Sequence, residues 1–248
     1  MEQSAEVHRS GATAARWWAD LAALVAFVAL TVTLANGHLL TVDVRIADWA
    51  DGHHPAALYW PARVLNYLGQ GGQVLMPAAI LLAALLTVRS RSVRPLLMFA
   101  GGFALTYVTI GPLKIWLQRA APHFTGPNRA ELFNPAATGG YGVSYPSGHV
   151  ANALVWYGVI ATLLSGLIAL PERAHLALRV LPPAIVFVTT TYLAFHWITD
   201  SIAGLLLGLV LTHLMSVVGW NTMRLPRLGG WERPYPVRTP SARPASRA

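Results

Sequence analysis

The sequence predicts an all-α integral membrane protein with six transmembrane helices and a further short helix lying in the external membrane interface. Three observations carry this. The 248-residue chain is 54% hydrophobic and only 11% charged, where an average soluble domain is about 25% charged. Apolar runs near the ~20 residues needed to cross a bilayer recur along it. Those runs are not cut into narrow stripes by charges, as the helices of a soluble bundle are.

The six runs fall at about 17–36, 73–88, 95–117, 148–170, 180–196 and 201–219, the second and fifth being short or less clean. The first follows a polar segment containing Glu2, Glu6 and Arg9. It is too long for a signal-peptide core and no small-x-small cleavage site follows it, so it reads as a retained anchor. Residues 37–72 then form a long connection. Within it Val42, Ile46 and Trp49 recur at helical spacing beside Asp43, Arg45 and Asp48, which predicts the interfacial helix, with a packed loop as the alternative. A second long connection spans 118–147, whereas 89–94 and 171–179 are short. In the sixth run Gly204 and Gly208 allow a neighbouring helix of the same chain to approach closely. His213 reads as a neutral structural histidine near the inner end, and His53–His54 as an exposed, solvated pair. There is no internal repeat and no cysteine, which excludes disulfides and thiol chemistry.

The net charge of +8 does not point to nucleic acid, because of where it lies. Thirteen arginines, from Arg9 and Arg16 through Arg89, Arg91, Arg94, Arg173 and Arg179 to the tail, fall on one side of a six-span topology. The other side holds Arg45, Arg63, Lys114, Arg119 and Arg129, offset by Asp43, Asp48, Asp51, Glu131 and Asp200. The positive-inside rule then places both termini in the cytoplasm and the two long connections outside, in the plasma membrane. The expected organisation is a cytoplasmic segment 1–16, a membrane domain 17–219, and a disordered Arg/Pro-rich tail 220–248 that can lie on anionic lipid.

The chemistry-bearing residues gather at the external ends of the runs. "YPSGH" opens the fourth. Pro146 directs the chain into the helix, Ser147 can cap it, and Gly148 lets a ligand reach the backbone. The first N–H groups of a helix have no intrahelical partner and attract anions. His149 adds a proton donor, although a plain cap beside an idle histidine is the simpler reading of these residues alone. "TYLAFHWITDSIAG" sets His196 and Asp200 four apart. A helix would put them on one face, and a short turn can also join them. A carboxylate on one ring nitrogen fixes the tautomer and frees the other nitrogen as a nucleophile. Lys114, the only lysine, ends the third run, where it either faces the same anion or snorkels to the interface. An anion cradle, two histidines, a carboxylate and a cation suit phosphoryl transfer without a metal. No DxD- or HExxH-like cluster is present, so no metal or other cofactor is implied.

In this order, Lys114, "PSGH" and "HWITDSIAG" resemble the type 2 phosphatidic acid phosphatases, membrane lipid phosphatases related to vanadium haloperoxidases and glucose-6-phosphatase. The resemblance covers about 37–219, with its motif core at 114–204, and implies that family's helical bundle. It also implies that His149 protonates the leaving group, that His196 becomes phosphorylated, and that Asp200 orients His196. Lys114, Ser147 and Gly148 would hold phosphate oxygens. Two motif arginines are replaced, by Ala121 and Thr190. Thr190 offers only a hydroxyl, and each lost charged hydrogen bond is worth about 1.5–3 kcal/mol. Pro122 disfavours helix at residue 121, so Arg119 is expected to swing off a fraying helix end and stand in for the missing cation, with Arg129 as the weaker candidate.

The resulting reading is a metal-independent phosphatase acting on a polyprenyl or glycerolipid phosphate or diphosphate, through a phosphohistidine, at the external face. Its partners are the lipid phosphate and the bilayer, not nucleic acid. The alternatives are a transferase of phosphate or headgroup using the same histidines, and an inactive lipid-phosphate binder.

Overall fold

The structure is a computed structural model that describes residues 2–137, 139–223 and 225, without the side chains of 2–15 and 141. The tail expected to be disordered therefore lies, from residue 226 on, outside the described residues. Eight α-helices follow one another: α1 Glu2–Ala35, α2 Leu40–Gly52, α3 Ala56–Asn66, α4 Met76–Ser90, α5 Arg94–Leu117, α6 Gly148–Leu167, α7 Glu172–Tyr192 and α8 Ile198–Val217. A 3₁₀ turn, Tyr67–Gly69, and a π-helical turn, Gly71–Leu75, lead from α3 into α4. Among the described residues, six helical segments are long and apolar enough to cross a membrane: Arg16–Ala35, Gly71–Ser90 and the whole of α5, α6, α7 and α8. The chain is a multi-pass membrane protein.

The buried share of each span shows which helices form the centre. It is 61% for α6 and 56% for α8, but 11% for the α1 span. Trp156 and Leu163 of α6 are fully enclosed, whereas Val28 of α1, Val88 of α4 and Tyr107 of α5 face outward onto what would be lipid. Two glycines permit the central contact. A Cβ on Gly204 would stand 2.5 Å from the Ser147 carbonyl oxygen, and one on Gly208 would stand 3.0 Å from Ala151 Cα. The close packing expected of these residues thus occurs within the chain, between α8 and α6.

Two boundaries differ from expectation. The fifth span is α7, starting at Glu172 rather than 180 and ending before His196. Hydropathy hid its first two turns, because Arg173, His175 and Arg179 sit in them and Pro182 and Pro183 follow within the helix. The sixth begins at Ile198 because Asp200 accepts a hydrogen bond from Trp197 N–H and caps it. Helix α3, with Pro61 inside it, was not anticipated at all. The expected interfacial helix is α2. Its Val42 and Trp49 face outward, while Asp43, Ala47 and Ala50 are buried.

His213 is not isolated: its Nδ1 meets the Asp20 carboxylate of α1, and Trp17 packs edge-on against its ring. His53 is exposed, as expected, with its Nδ1 on the Trp49 carbonyl, whereas His54 is half-buried and donates to the Tyr192 carbonyl.

Candidate active site

Helix α5 ends where Gln118 turns left-handed, at φ 42°, and its N–H closes back on the Lys114 carbonyl. The chain then runs as the second long connection. It is tied to the helix end by bonds from Phe133 N–H to Leu117 O and from Asn134 N–H to Gln118 O, and by a bridge between Arg119 and Val143. This brings Val143–Ser147 alongside Lys114. Ser147, extended at φ −62° and ψ 111°, caps α6 with its side chain, and its own N–H donates to the Asp200 carbonyl at 2.9 Å. The openings of α6 and α8 are thereby joined through their backbones, at the point where Gly204 leaves room.

His196 lies in the turn between α7 and α8, so the short-turn alternative joins it to Asp200. Its Nδ1 is 3.4 Å from Asp200 Oδ2 and 3.1 Å from Ser144 Oγ. Ser144 donates to the same Asp200 oxygen at 2.6 Å. With its one hydroxyl proton given to the carboxylate, Ser144 can only accept from His196, which places the imidazole proton on Nδ1 and the lone pair on Nε2. That Nε2 faces Nδ1 of His149 at 3.3 Å, the two rings meeting edge to face. Burial pushes His196 below the usual imidazole range, against the pull of its hydrogen bond to Asp200. Burial thus favours the neutral ring, with its Nε2 lone pair directed at His149.

Both histidines open onto a cavity of about 400 Å³ whose other walls include Lys114, Gly148, Asn152 and the Gly69–Gly72 loop. Lys114 Nζ donates to the carbonyls of Val143 and Ser144. A Cβ on Gly148 would lie 3.2 Å from Lys114 Cε, so glycine leaves the lysine room to lie against the mouth of α6. Asn152, one turn into α6, has a buried Oδ1 without a partner, as does His149 at Nε2. Across the cavity, Gly71 and Gly72 begin the π-helical turn. A Cβ on Gly71 would come within 3.0 Å of Asn152 Nδ2.

Arg119 leaves the helix as expected but turns away from the cavity. It is fully buried behind Asp200. Nη1 donates to Asp200 Oδ1 at 2.6 Å and Thr199 Oγ1 at 2.7 Å, Nη2 to Asp43 Oδ2 at 2.6 Å, and Nε to the Ala130 carbonyl at 2.8 Å. Burial opposes its charge, but the carboxylates of Asp200 and Asp43 outweigh that and raise its pKa. Its expected place on the phosphate is corrected to a place behind the carboxylate, because two buried acids there require a cation. Arg129 pairs with Asp48 at 2.8 Å near the surface. Neither arginine lines the cavity, nor do Ser147 and Thr190, both fully buried. Ala121 does line it. Ser144, Asn152, Asp43 and the Gly69–Gly72 loop were not singled out by sequence. Only the glycine run "GQGG" offered a signal. Among the described residues, no group of three or more histidine or acidic side chains gathers as a metal site would.

The model of the PAP2 superfamily matches residues 95–224, just over half of the chain. The chain belongs to this family. Its fold is similar to the crystal structure of the first transmembrane PAP2 type phosphatidylglycerolphosphate phosphatase from Bacillus subtilis. The TM-score is 0.69 at 21% identity, over 84% of this chain and 100% of that one. No curated protein matches. The PAP2 segment holds Lys114, His149, His196 and Asp200, whereas Asp43 and the Gly69–Gly72 loop precede it.

Proposed function

We propose that the chain is a lipid phosphatase working through His196. The observation that carries this reading is the chain of contacts Asp200–Ser144–His196–His149 at the wall of a cavity that also holds the ammonium of Lys114. A phosphate enters between the two rings. Nε2 of His196 attacks phosphorus, the N–P bond forms as the P–O bond to the lipid breaks, and His149 gives its proton to the leaving oxygen. Water, losing a proton to His149, then attacks the phosphohistidine, and the N–P bond breaks as the new P–O bond forms. Lys114 and the first amides of α6 hold the phosphoryl oxygens. Asn152 and the free amides that open the π-helical turn supply neutral donors where the family pattern has guanidinium groups.

The substrate is a lipid, because the cavity opens at the ends of membrane spans. The arginine tally puts this end outside the cell. Glu131→Cys should then react with an impermeant thiol reagent in intact cells and Arg173→Cys should not; the reverse pattern would invert the orientation.

A second reading, transfer to an acceptor alcohol, is favoured by Ala121: Lys114 is the only fixed cation among the lining residues. The decisive experiment incubates purified protein and its His196→Ala variant with phosphatidic acid, phosphatidylglycerophosphate and a polyprenyl diphosphate, with and without acceptor alcohols. Inorganic phosphate released by the parent alone, in the presence of EDTA and inhibited by vanadate, is the expected result. A phosphorylated acceptor would establish transfer. Full activity in His196→Ala would remove the nucleophile, and no turnover of any substrate would leave a binder.

A further inference from the structure

On the lipid-facing side, away from the candidate active site, α7 parts from α8. Gly204 and Gly208 draw α8 onto α6, and α7 carries Pro182 and Pro183 within its continuous length, where each proline removes a backbone hydrogen bond. The gap is a groove of about 630 Å³ lined by side chains such as Leu154, Ala184, Phe187, Leu205 and Leu209. From Leu176 to Val188 it follows α7 for about 18 Å at 1.5 Å per residue, a little more than one leaflet of a ~30 Å hydrocarbon core.

The groove does not end in apolar residues. Arg179 and Thr212 line both it and an adjoining, more polar cavity of about 280 Å³ formed with Ser216, Trp220, Asn221 and Thr222. Arg179 is exposed within a membrane-spanning helix, and among the described residues no carboxylate pairs with it. A charge so placed is costly unless something of opposite charge meets it. In the same cavity Asn221 keeps a buried Oδ1 without a partner, an acceptor for a hydroxyl. The apolar groove, the unpaired cation and the acceptor occur in the order of an acyl chain, a phosphate and a hydroxylated headgroup.

We infer that α6, α7 and α8 hold one anionic phospholipid of the leaflet opposite the candidate active site, its acyl chain in the groove and its phosphate on Arg179. This site is separate from His196, which lies beyond the other end of α7, and it does not depend on the proposed catalysis.

The test is native mass spectrometry of the full chain released from micelles doped with equal phosphatidylglycerol and phosphatidylcholine. The parent protein should retain phosphatidylglycerol about fivefold over phosphatidylcholine, the preference expected of one interfacial cation. Arg179→Gln should lose that preference while still carrying lipid. Ala184→Phe, which fills the groove, should lose both lipids. His196→Ala should behave as the parent. The arginine-rich tail is intact in every protein and so cannot account for a difference. An unchanged preference in Arg179→Gln, or loss of the lipid in His196→Ala, would overturn the inference, as would full retention in Ala184→Phe.

Discussion

Ser144 donates its hydroxyl to Oδ2 of Asp200 at 2.6 Å, closer than the 3.4 Å at which His196 Nδ1 approaches the same oxygen. The serine is thus the nearer partner of the carboxylate and, at 3.1 Å, also of the imidazole. Ser144→Ala should lower kcat by about 10–100-fold, the worth of one hydrogen bond to a charged group, with little change in KM. Steady-state kinetics check this. An unchanged kcat would mean that the carboxylate orients His196 without the serine.

Arg119 answers to two acids at once. Arg119→Ala would leave Asp43 and Asp200 buried without their cation, which should cost about 3–5 kcal/mol of stability. A phosphate ligand would behave otherwise, with turnover falling while the fold stayed intact. Thermal denaturation of the purified variant in detergent separates the two outcomes, and an unaltered midpoint with lost activity would return Arg119 to the phosphate.

Gly204→Ala should be harmful and Gly111→Ala harmless. The first places a methyl 2.5 Å from the Ser147 carbonyl, and the second meets nothing within 4 Å. Overpacking of this kind costs about 1–3 kcal/mol. Since the same backbone holds Ser147 N–H on Asp200 O, turnover should fall with stability. The check is kcat and thermal midpoint measured together for both variants.

The pH dependence follows from His196. Burial holds its pKa low, so Nε2 keeps its lone pair at pH values where an ordinary imidazole, near ~6.5, has begun to protonate. The acid limb of kcat/KM should therefore lie below about pH 6.5. The Asp200 carboxylate favours the protonated ring. Asp200→Asn should move the limb further towards acid while lowering the maximal rate. A pH profile with its acid limb above the ordinary imidazole value would contradict the assignment.

Much of the fold was legible because crossing a bilayer constrains composition directly. Each span needs a long apolar run, and all six left one in the sequence, the second and fifth shorter than the helices that carry them. The fifth was misplaced where Arg173, Arg179 and the proline pair lowered its hydropathy. The candidate site was legible where its residues are near in sequence: Ser147 with His149, and His196 with Asp200. It was not legible where folding alone joins distant segments. Asp43 meets Thr199 across the bundle at 2.6 Å, and no pattern in α2 distinguishes Asp43 from Asp48, which lies on the surface. Arg119 was picked out for its charge, but its direction depended on those two acids. The left-handed Gln118 turns it from the cavity towards them.

The position of Asp43 bears on how large the working unit is. The segment that carries the family signature begins at residue 95, yet the clasp behind Asp200 closes on a side chain from α2, and the cavity is walled by the Gly69–Gly72 loop. Excised at its signature, the chain would retain every hallmark histidine and lose both one of the two acids that hold Arg119 and one side of the chamber. The motif-bearing half is thus not an autonomous module, and swapping it between relatives should require that the first hundred residues travel with it.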